Sequence, residues 1–316
     1  MAWSGGDLEG TVSERRFVRV HVPASTANLG PGFDALGMAL GLYNEVEVEL
    51  VGHGLALEIT GEGADRLQAL GDRNLVARSV TQTLRHFGVS AEGLRIRMLN
   101  RIPLSRGLGS SSAAVMGGVA AAAAIAGVKA EPEVLLDLAL PYEGHPDNIT
   151  PALLGGLTVA TLVNGKVRCV KLPVPAGLVA VAVIPEFHLS TAVARKALPP
   201  TVPRADAVFN VGRVALFLAA MQSGRFDLLR EAARDRLHQP YRAPLVPGMS
   251  DVLEEGDRAG ALACFLSGAG PTLLALARED GEAIGARMVA CWKERAAVTA
   301  RAVTLPIAGE GLTVDA

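Results

Sequence analysis

Between Pro103 and Gly118 the chain reads Pro-Leu-Ser-Arg-Gly-Leu-Gly-Ser-Ser-Ser-Ala-Ala-Val-Met-Gly-Gly, and no other stretch limits its possible folds so tightly. Upstream, Leu94, Ile96 and Met98 occupy alternate positions, which predicts a strand from Leu94 to Leu99. Downstream, an alanine-rich run continues to Ala126. Alanine is the best helix former, and a run with so little polar character predicts a buried helix. A glycine-rich turn therefore joins a strand to a helix whose first turn carries Ser110, Ser111 and Ser112. The first N–H groups of a helix lack internal partners and carry partial positive charge, so such a turn suits a phosphate. Gly107 and Gly109 would let the backbone approach an anion with no Cβ in the way. Arg101 and Arg106 stand close enough in sequence to add charge.

Taken alone, the stretch also fits an ordinary capped helix after a loop. Two familiar phosphate loops do not fit it. A P-loop closes on Gly-Lys-Ser/Thr, and no lysine stands here. A dinucleotide fingerprint wants Gly or Ala where Ser112 stands, a shorter turn, and an acidic residue ending the next strand.

A chain of 316 residues predicts two domains of ordinary size. Half the residues are hydrophobic but only 4% are aromatic, so the core is expected to be built of Ala, Val and Leu. A formal net charge of −2, with Lys and Arg scattered, predicts no general attraction to nucleic acid or anionic lipid. Cys169, Cys264 and Cys291 are odd in number and far apart, which suits reduced thiols better than disulfides or a metal frame. Residues 1–15 are polar, lack an apolar signal region and are expected to form a loose extension. No apolar run reaches membrane-spanning length uninterrupted, so a cytoplasmic protein is expected.

Along the chain, Phe17–Val22 alternates as a half-buried strand, and Pro23–Asp34 follows as a structured loop. Asn44–Leu50 and Leu55–Ile59 read as hairpin partners, and Asn74–Phe87 as an amphipathic helix. Pro132 starts another helix. Glu143–Pro151 is a polar loop, and Asn164-Gly165 marks a hairpin turn within strands spanning Ala152–Leu172. In the second half, Leu178–Ile184 predicts a strand. Ser190–Leu198, Arg204–Met221 and Phe226–Leu237 predict helices, with Val208, Val211, Leu216 and Phe217 of the second facing inward. Ser250 is expected to cap the next helix. Two strands around a glycine-rich turn (Ala263–Ala277), a helix (Glu282–Trp292) and a strand (Ala297–Leu305) complete the reading. That order predicts an open sheet with helices on one face, an α+β layer.

Two loops concentrate polar side chains. Ser25, Thr26, Asn28 and Asp34 share one Gly/Pro-braced segment, read equally well as turn chemistry or as a binding site. Glu143-Gly-His-Pro-Asp-Asn148 groups two carboxylates and an imidazole, yet Gly144 and Pro146 would also simply end a helix. Arg195 and Arg242 could bind a carboxylate bidentately or stand on the surface.

The Pro103–Ala114 string resembles the Pro-x-x-x-Gly-Leu-Gly-Ser-Ser-x-Ala signature of the GHMP small-molecule kinases, whose loop wraps the phosphates of ATP. The resemblance extends in order from Arg16 to Leu305 and is closest to homoserine kinases. Their opening pattern is met by Pro23, Thr26, Ala27, Asn28, Leu29, Gly30, Gly32, Phe33 and Asp34. Their Glu-Gly-His-Pro-Asp-Asn string is met from Glu143 through Gly156. Leu266-Ser-Gly-Ala-Gly-Pro-Thr-Leu273 is similar to a third motif, a glycine turn facing the nucleotide loop.

The resemblance implies a two-domain GHMP kinase fold. Its N-terminal domain (residues 16–165) would be α/β, like domain 2 of ribosomal protein S5, and its C-terminal domain (166–316) a ferredoxin-like α+β unit. It implies ATP contacts from Asn74, Pro103, Leu104, Ser105, Arg106, Gly107, Leu108, Gly109, Ser110, Ser111, Ser112 and Ala113. Substrate contacts fall on Asn28, Asp34, His145, Asn148, Arg195 and Arg242. Mg²⁺ would be held by Glu143 with Ser110 or Ser111, and Asp147 matches the position where mevalonate-type relatives place a base. Asp147, Glu143 and Ser111 are thus the expected catalytic group. The implied reaction phosphorylates the hydroxyl of L-homoserine on the route to threonine, in a homodimer. Rival readings are a GHMP kinase acting on mevalonate or shikimate, and a silent binding protein on the same fold.

Overall fold

The computed structural model describes residues 17–315, so the extension expected over residues 1–15 lies outside the described residues. In chain order the first strands are β1 (Phe17–Ala27), β2 (Leu36–Val51), β3 (Gly54–Gly61) and β4 (Gly93–Asn100). Helices α1 (Ala64–Gln68) and α2 (Leu75–His86) connect β3 to β4. Then follow α3 (Ser110–Ile125), α4 (Pro132–Glu143), α5 (Ile149–Leu154), β5 (Leu157–Val163) and β6 (Lys166–Leu172). The remainder runs β7 (Val179–Pro185), α6 (Thr191–Lys196), α7 (Arg204–Ser223), α8 (Leu229–Ala232) and α9 (Gln239–Arg242). It ends with α10 (Met249–Arg258), β8 (Ala263–Leu266), β9 (Leu273–Ala277), α11 (Gly281–Ala296), β10 (Ala300–Pro306) and β11 (Thr313–Asp315).

A seven-stranded sheet is ordered β11-β1-β2-β4-β3, with the β5–β6 hairpin attached to β2. Leu55–Ile59 is a strand, as expected, but not the partner of β2. β4 lies between them, antiparallel to β2 and parallel to β3. Charge accounts for the insertion. Glu47 and Glu49 of β2 and Glu58 of β3 would repel as direct neighbours, whereas Arg95 and Arg97 of β4 pair with Glu49 (2.6 Å) and Glu58 (2.9 Å). Strand β1 runs on through Pro23 to Ala27, because a register shift at Pro23/Ala24 accommodates the proline; the loop proper is Asn28–Asp34. Residues 152–154, read as strand, belong to α5.

Helix α3 is the buried rod that its composition demanded: all of it except Ser111 and Ala124 is buried. It packs on β1, β2, α2 and α4. Small residues permit this closeness. A Cβ on Gly117 would stand 2.9 Å from Val46 Cγ2, and one on Gly118 2.0 Å from Ser79 Oγ.

The second sheet, β10-β7-β9-β8, is antiparallel throughout, the strand order of a ferredoxin-like layer. Strand β7 is buried on both faces. Val181 and Val183 meet Met288 and Trp292 beneath α10 and α11, while Ala180 and Ala182 join the core of the first sheet. The face opposite α10 and α11 is therefore covered as well, by a core that includes Phe217 of α7 and Leu229 and Ala232 of α8. The turn Asn164-Gly165 joins β5 to β6 as read, so the expected division at 165/166 falls inside that hairpin.

Three local readings in the second half change. Val208 and Val211 are 66% and 72% exposed, not inward. The inner face of α7 is instead set by buried Asn210, whose amide donates to Pro31 O and Asp235 Oδ1. Phe226–Leu237 is not one helix but a short turn, α8 and an irregular segment ending at His238. Helix α10 starts at Met249, one residue before Ser250, with Gly248 in the left-handed region at φ 76°. No described helix is long and apolar enough to cross a membrane.

The tight α2–α3 contact makes a stability prediction. Gly118→Leu should lower unfolding free energy by about 1–3 kcal/mol, the cost of overpacking a filled core, read from the urea midpoint of the folded protein.

Candidate active site

The glycine turn is clamped before it reaches any ligand. Ser25 N donates to Leu108 O (3.2 Å), Thr272 N to Arg106 O (3.3 Å), and Ser267 Oγ lies 2.6 Å from Gly107 O. Gly107 and Gly109 are left-handed (φ 76° and 69°), and a Cβ on them would meet Ser267 O at 2.2 Å and Ser25 Oγ at 2.0 Å. Only glycine satisfies both conditions. The first helical hydrogen bond of α3 comes from Ala113 N to Gly109 O, which leaves the amides of Ser110, Ser111 and Ser112 without a helical partner. They point their partial positive charge into a cavity of about 510 Å³ formed between the two sheets' connecting segments.

The backbone supplies part of that charge, and Arg66 and Arg106 also line the cavity. Arg101 pairs with Glu45 (2.7 Å) on the sheet surface. Arg106 donates from Nε to Pro185 O (2.8 Å) and reaches Glu186 O and His188, and burial lowers its pKa. Arg101 is thus paired with a carboxylate away from the turn, whereas Arg106, held by backbone carbonyls and His188, lines the cavity.

Glu143, at the end of α4, accepts from Ser112 Oγ at 2.6 Å. The serine beside this carboxylate is thus Ser112, whereas Ser110 is buried and Ser111 exposed. Asn74 caps α2, accepting from Val76 N at 2.9 Å, and lines the cavity. Pro103 through Ser112 line it too, but Ala113 is wholly buried in the core and does not.

The remaining expected residues line the same cavity. Asp34 forms a bidentate pair with Arg195 (2.6 and 3.1 Å), and this pairing keeps the Arg195 pKa raised although burial opposes it. Asn28, in the left-handed region, lines the cavity while donating to Gly268 O (2.9 Å) and accepting from Asp34 N (3.0 Å). Asn148 Oδ1 accepts from Ser25 Oγ at 2.9 Å. Burial would lower the His145 pKa, but its bond to the buried Asp147 carboxylate outweighs that and raises it. Ligand atoms of Asp34, His145 and Asp147 all lie within 4.8 Å of one another. Arg242 is only 1% exposed, and among the described residues no carboxylate lies within 4.0 Å of it. Burial first, and the nearby Arg195 charge next, lower its pKa to about 10.

Leu67, Leu70, Leu75 and Met98 give the cavity an apolar region, with Asn100 and Tyr142 at its border. Sequence reasoning missed these. Met98 was legible only as an alternating core residue, and α1 is too short for a periodic signal.

This arrangement has close counterparts. Residues 74–156 match the family model of the GHMP kinases N terminal domain, and residues 217–294 that of the GHMP kinases C terminal. A homoserine kinase of Carboxydothermus hydrogenoformans is 47% identical over 268 residues, covering 85% of this chain and 87% of that one. The chain belongs to the homoserine kinases of the GHMP family. Another homoserine kinase, from Persephonella marina, is 40% identical across 95% of this chain and 99% of its own length. The crystal structure of a homoserine kinase from Cytophaga hutchinsonii superposes with a TM-score of 0.87 at 31% identity, covering 96% and 98% of the two chains. A mevalonate kinase of L. major shares the fold (TM-score 0.69, 18% identity, 91% and 95% covered).

For this homoserine kinase the clamp yields a sharp expectation. Gly109→Ala should raise the KM for ATP at least about tenfold, since the left-handed penalty alone is about 1–2 kcal/mol per residue, and the Ser25 clash adds to it. Steady-state kinetics with L-homoserine saturating would check it, and an unchanged KM would count against the turn as the phosphate seat.

Proposed function

We propose that the chain transfers the γ-phosphoryl group of ATP to the side-chain hydroxyl of L-homoserine, with the site residues in the following roles. The observation that carries the assignment is one cavity with two ends: unpaired helix amides at one, and Asp34 with two arginines at the other. The amides of Ser110–Ser112 suit the triphosphate, and the apolar region by Leu67, Leu70 and Met98 suits the base beside Asn74. A zwitterion needs one anion and one cation or more, held apart. Asp34 would take the α-ammonium, and Arg195 and Arg242 the α-carboxylate. Mevalonate and shikimate have no ammonium group to occupy Asp34.

Mg²⁺ fits here, because Glu143 and Ser112 present hard oxygens 2.6 Å apart at the helix start. They would hold the ion together with Ser110 or Ser111, and when bound it neutralises triphosphate charge. In the reaction the homoserine oxygen attacks the γ-phosphorus, the bond to the β–γ bridging oxygen breaks, and ADP leaves. The Asp147 carboxylate takes the hydroxyl proton, with His145 fixing its orientation. Asn28 and Asn148 act through the loops they brace, and most of the rate comes from alignment and charge neutralisation.

The same reading includes a cytoplasmic homodimer, with the exposed Val208 and Val211, three residues apart on α7, as an apolar face it could cover. We also place the division between the two domains after β6, since Lys166–Leu172 pairs along its length with β5.

A coupled ADP-release assay over L-homoserine, mevalonate and shikimate tests the activity. Turnover is expected only with homoserine, and turnover with either other alcohol but not homoserine would sink the assignment. Asp34→Asn should raise the homoserine KM roughly 10- to 100-fold, the worth of a charged hydrogen bond, with the ATP KM unmoved. Asp147→Asn should instead depress kcat by roughly 10²–10⁴, the usual contribution of a positioned proton acceptor, with little change in either KM.

A further inference from the structure

We propose that His238 is a positioning residue whose neutral, Nε2-protonated ring aims the Arg242 guanidinium into the cavity and so sets the preference for substrates bearing an α-carboxylate. This rests on the reading of Arg242 as a carboxylate ligand. The ring is fully buried, and its partners assign its protons. Nε2 lies 2.7 Å from Gly30 O, which can only accept, so Nε2 carries hydrogen. Nδ1 lies 3.1 Å from Arg242 Nη1, which can only donate, so Nδ1 is bare. A doubly protonated ring would set N–H against N–H beside a buried cation. Burial foremost, and then the Arg242 charge, lower the His238 pKa despite the opposing influence of Asp235, in agreement with a neutral ring.

The rest of the guanidinium is spoken for. Nε donates to Ala194 O (3.4 Å) and Nη1 also to Gly268 O (3.0 Å), which leaves Nη2 as the nitrogen with no protein partner among the described residues. Arg242 lines the cavity, so Nη2 is the group offered to a ligand. His238 and Arg242 are one turn apart across α9, and that four-residue helix is held from outside. Asp235 accepts from the amides of Leu237, His238 and Gln239 at 3.0, 2.9 and 2.7 Å, and Gln239 Oε1 accepts from Leu266 N at 2.7 Å. Phe33 stacks on the His238 ring (5.2 Å between centroids) and lies 5.3 Å from the Arg242 guanidinium carbon. A polar residue with no ligand contact, built into so complete a frame, acts on the group it touches.

The test compares kcat/KM for L-homoserine with that for 3-aminopropan-1-ol, which keeps the ammonium and hydroxyl but lacks the carboxylate. His238→Gln retains a donor for Gly30 and loses the acceptor for Arg242; His238→Asn retains an acceptor near the Nδ1 position. H238Q should lower the homoserine preference roughly 10- to 100-fold, through the homoserine KM and with the ATP KM unchanged. H238N should keep the preference within about threefold of the parent enzyme. If both variants lower activity on the two substrates alike, His238 is only structural and the proposal fails. Arg242→Met separates the two levels. Should it collapse the preference while H238Q does not, the positioning role alone is wrong; should it leave the preference intact, the carboxylate reading falls and takes the proposal with it. Long-range ¹⁵N–¹H spectra of the unmodified enzyme at neutral pH read the tautomer without any variant. An Nε2–H pattern is expected, and a ring protonated on Nδ1 would overturn the assignment.

Discussion

Unsatisfied backbone amides at the start of α3 are the constraint on which the rest of this enzyme depends. A helix cannot pair its own first N–H groups, and here Gly109 in the left-handed region turns the chain so that three of them face a cavity. Holding that turn requires material from distant parts of the chain. Ser25 comes from the first strand, and Ser267 and Gly270 from the loop between β8 and β9. Segments belonging to both sheets therefore meet at the glycine turn, beside the cavity. An alanine-packed rod behind the turn keeps it rigid, because Gly117 and Gly118 allow β2 and α2 to approach without intervening side chains.

Charge at the two ends of the cavity is arranged by different means. Around the turn it comes from backbone dipoles together with Arg66 and Arg106, while Arg101 is paired with Glu45. At the far end it comes from side chains that already satisfy one another. Asp34 and Arg195 close a bidentate pair, so a zwitterion entering between them would exchange one ion pair for two. Arg242 differs. Among the described residues no carboxylate lies within 4.0 Å of it; two carbonyls and the His238 imidazole hold it, and burial foremost lowers its pKa to about 10.

Much of this could be read from the residues, but unevenly. Strand β4, the glycine turn and α3 were legible because each has a local cause: alternation, positive-φ glycine and alanine propensity. Asp34, Glu143, His145 and Asp147 were legible as members of two polar loops, and all four line the cavity, though their partners were not legible. Ser112 rather than Ser110 or Ser111 meets Glu143 because the helical rotation at that point depends on where α4 ends. Val208 and Val211 misled, since an apolar pair three residues apart is the ordinary sign of a buried face, and here a polar residue, Asn210, takes that face for the hydrogen bonds it makes. His238 stood in plain view beside Arg242 in the sequence, yet nothing in the spacing told that its ring would bridge Gly30 and the guanidinium.

By itself the sequence determined most local elements and the glycine turn that opens α3, because backbone conformation and hydrophobic period are properties of neighbouring residues. The tertiary structure decided which strand lies between β2 and β3, which serine faces Glu143, and which arginines remain available to a ligand. Those outcomes depend on contacts between segments distant in the chain, 240 residues apart for Asn28 with Gly268 and 79 for Arg106 with Pro185, and no local pattern encodes which of several possible partners a polar group will find.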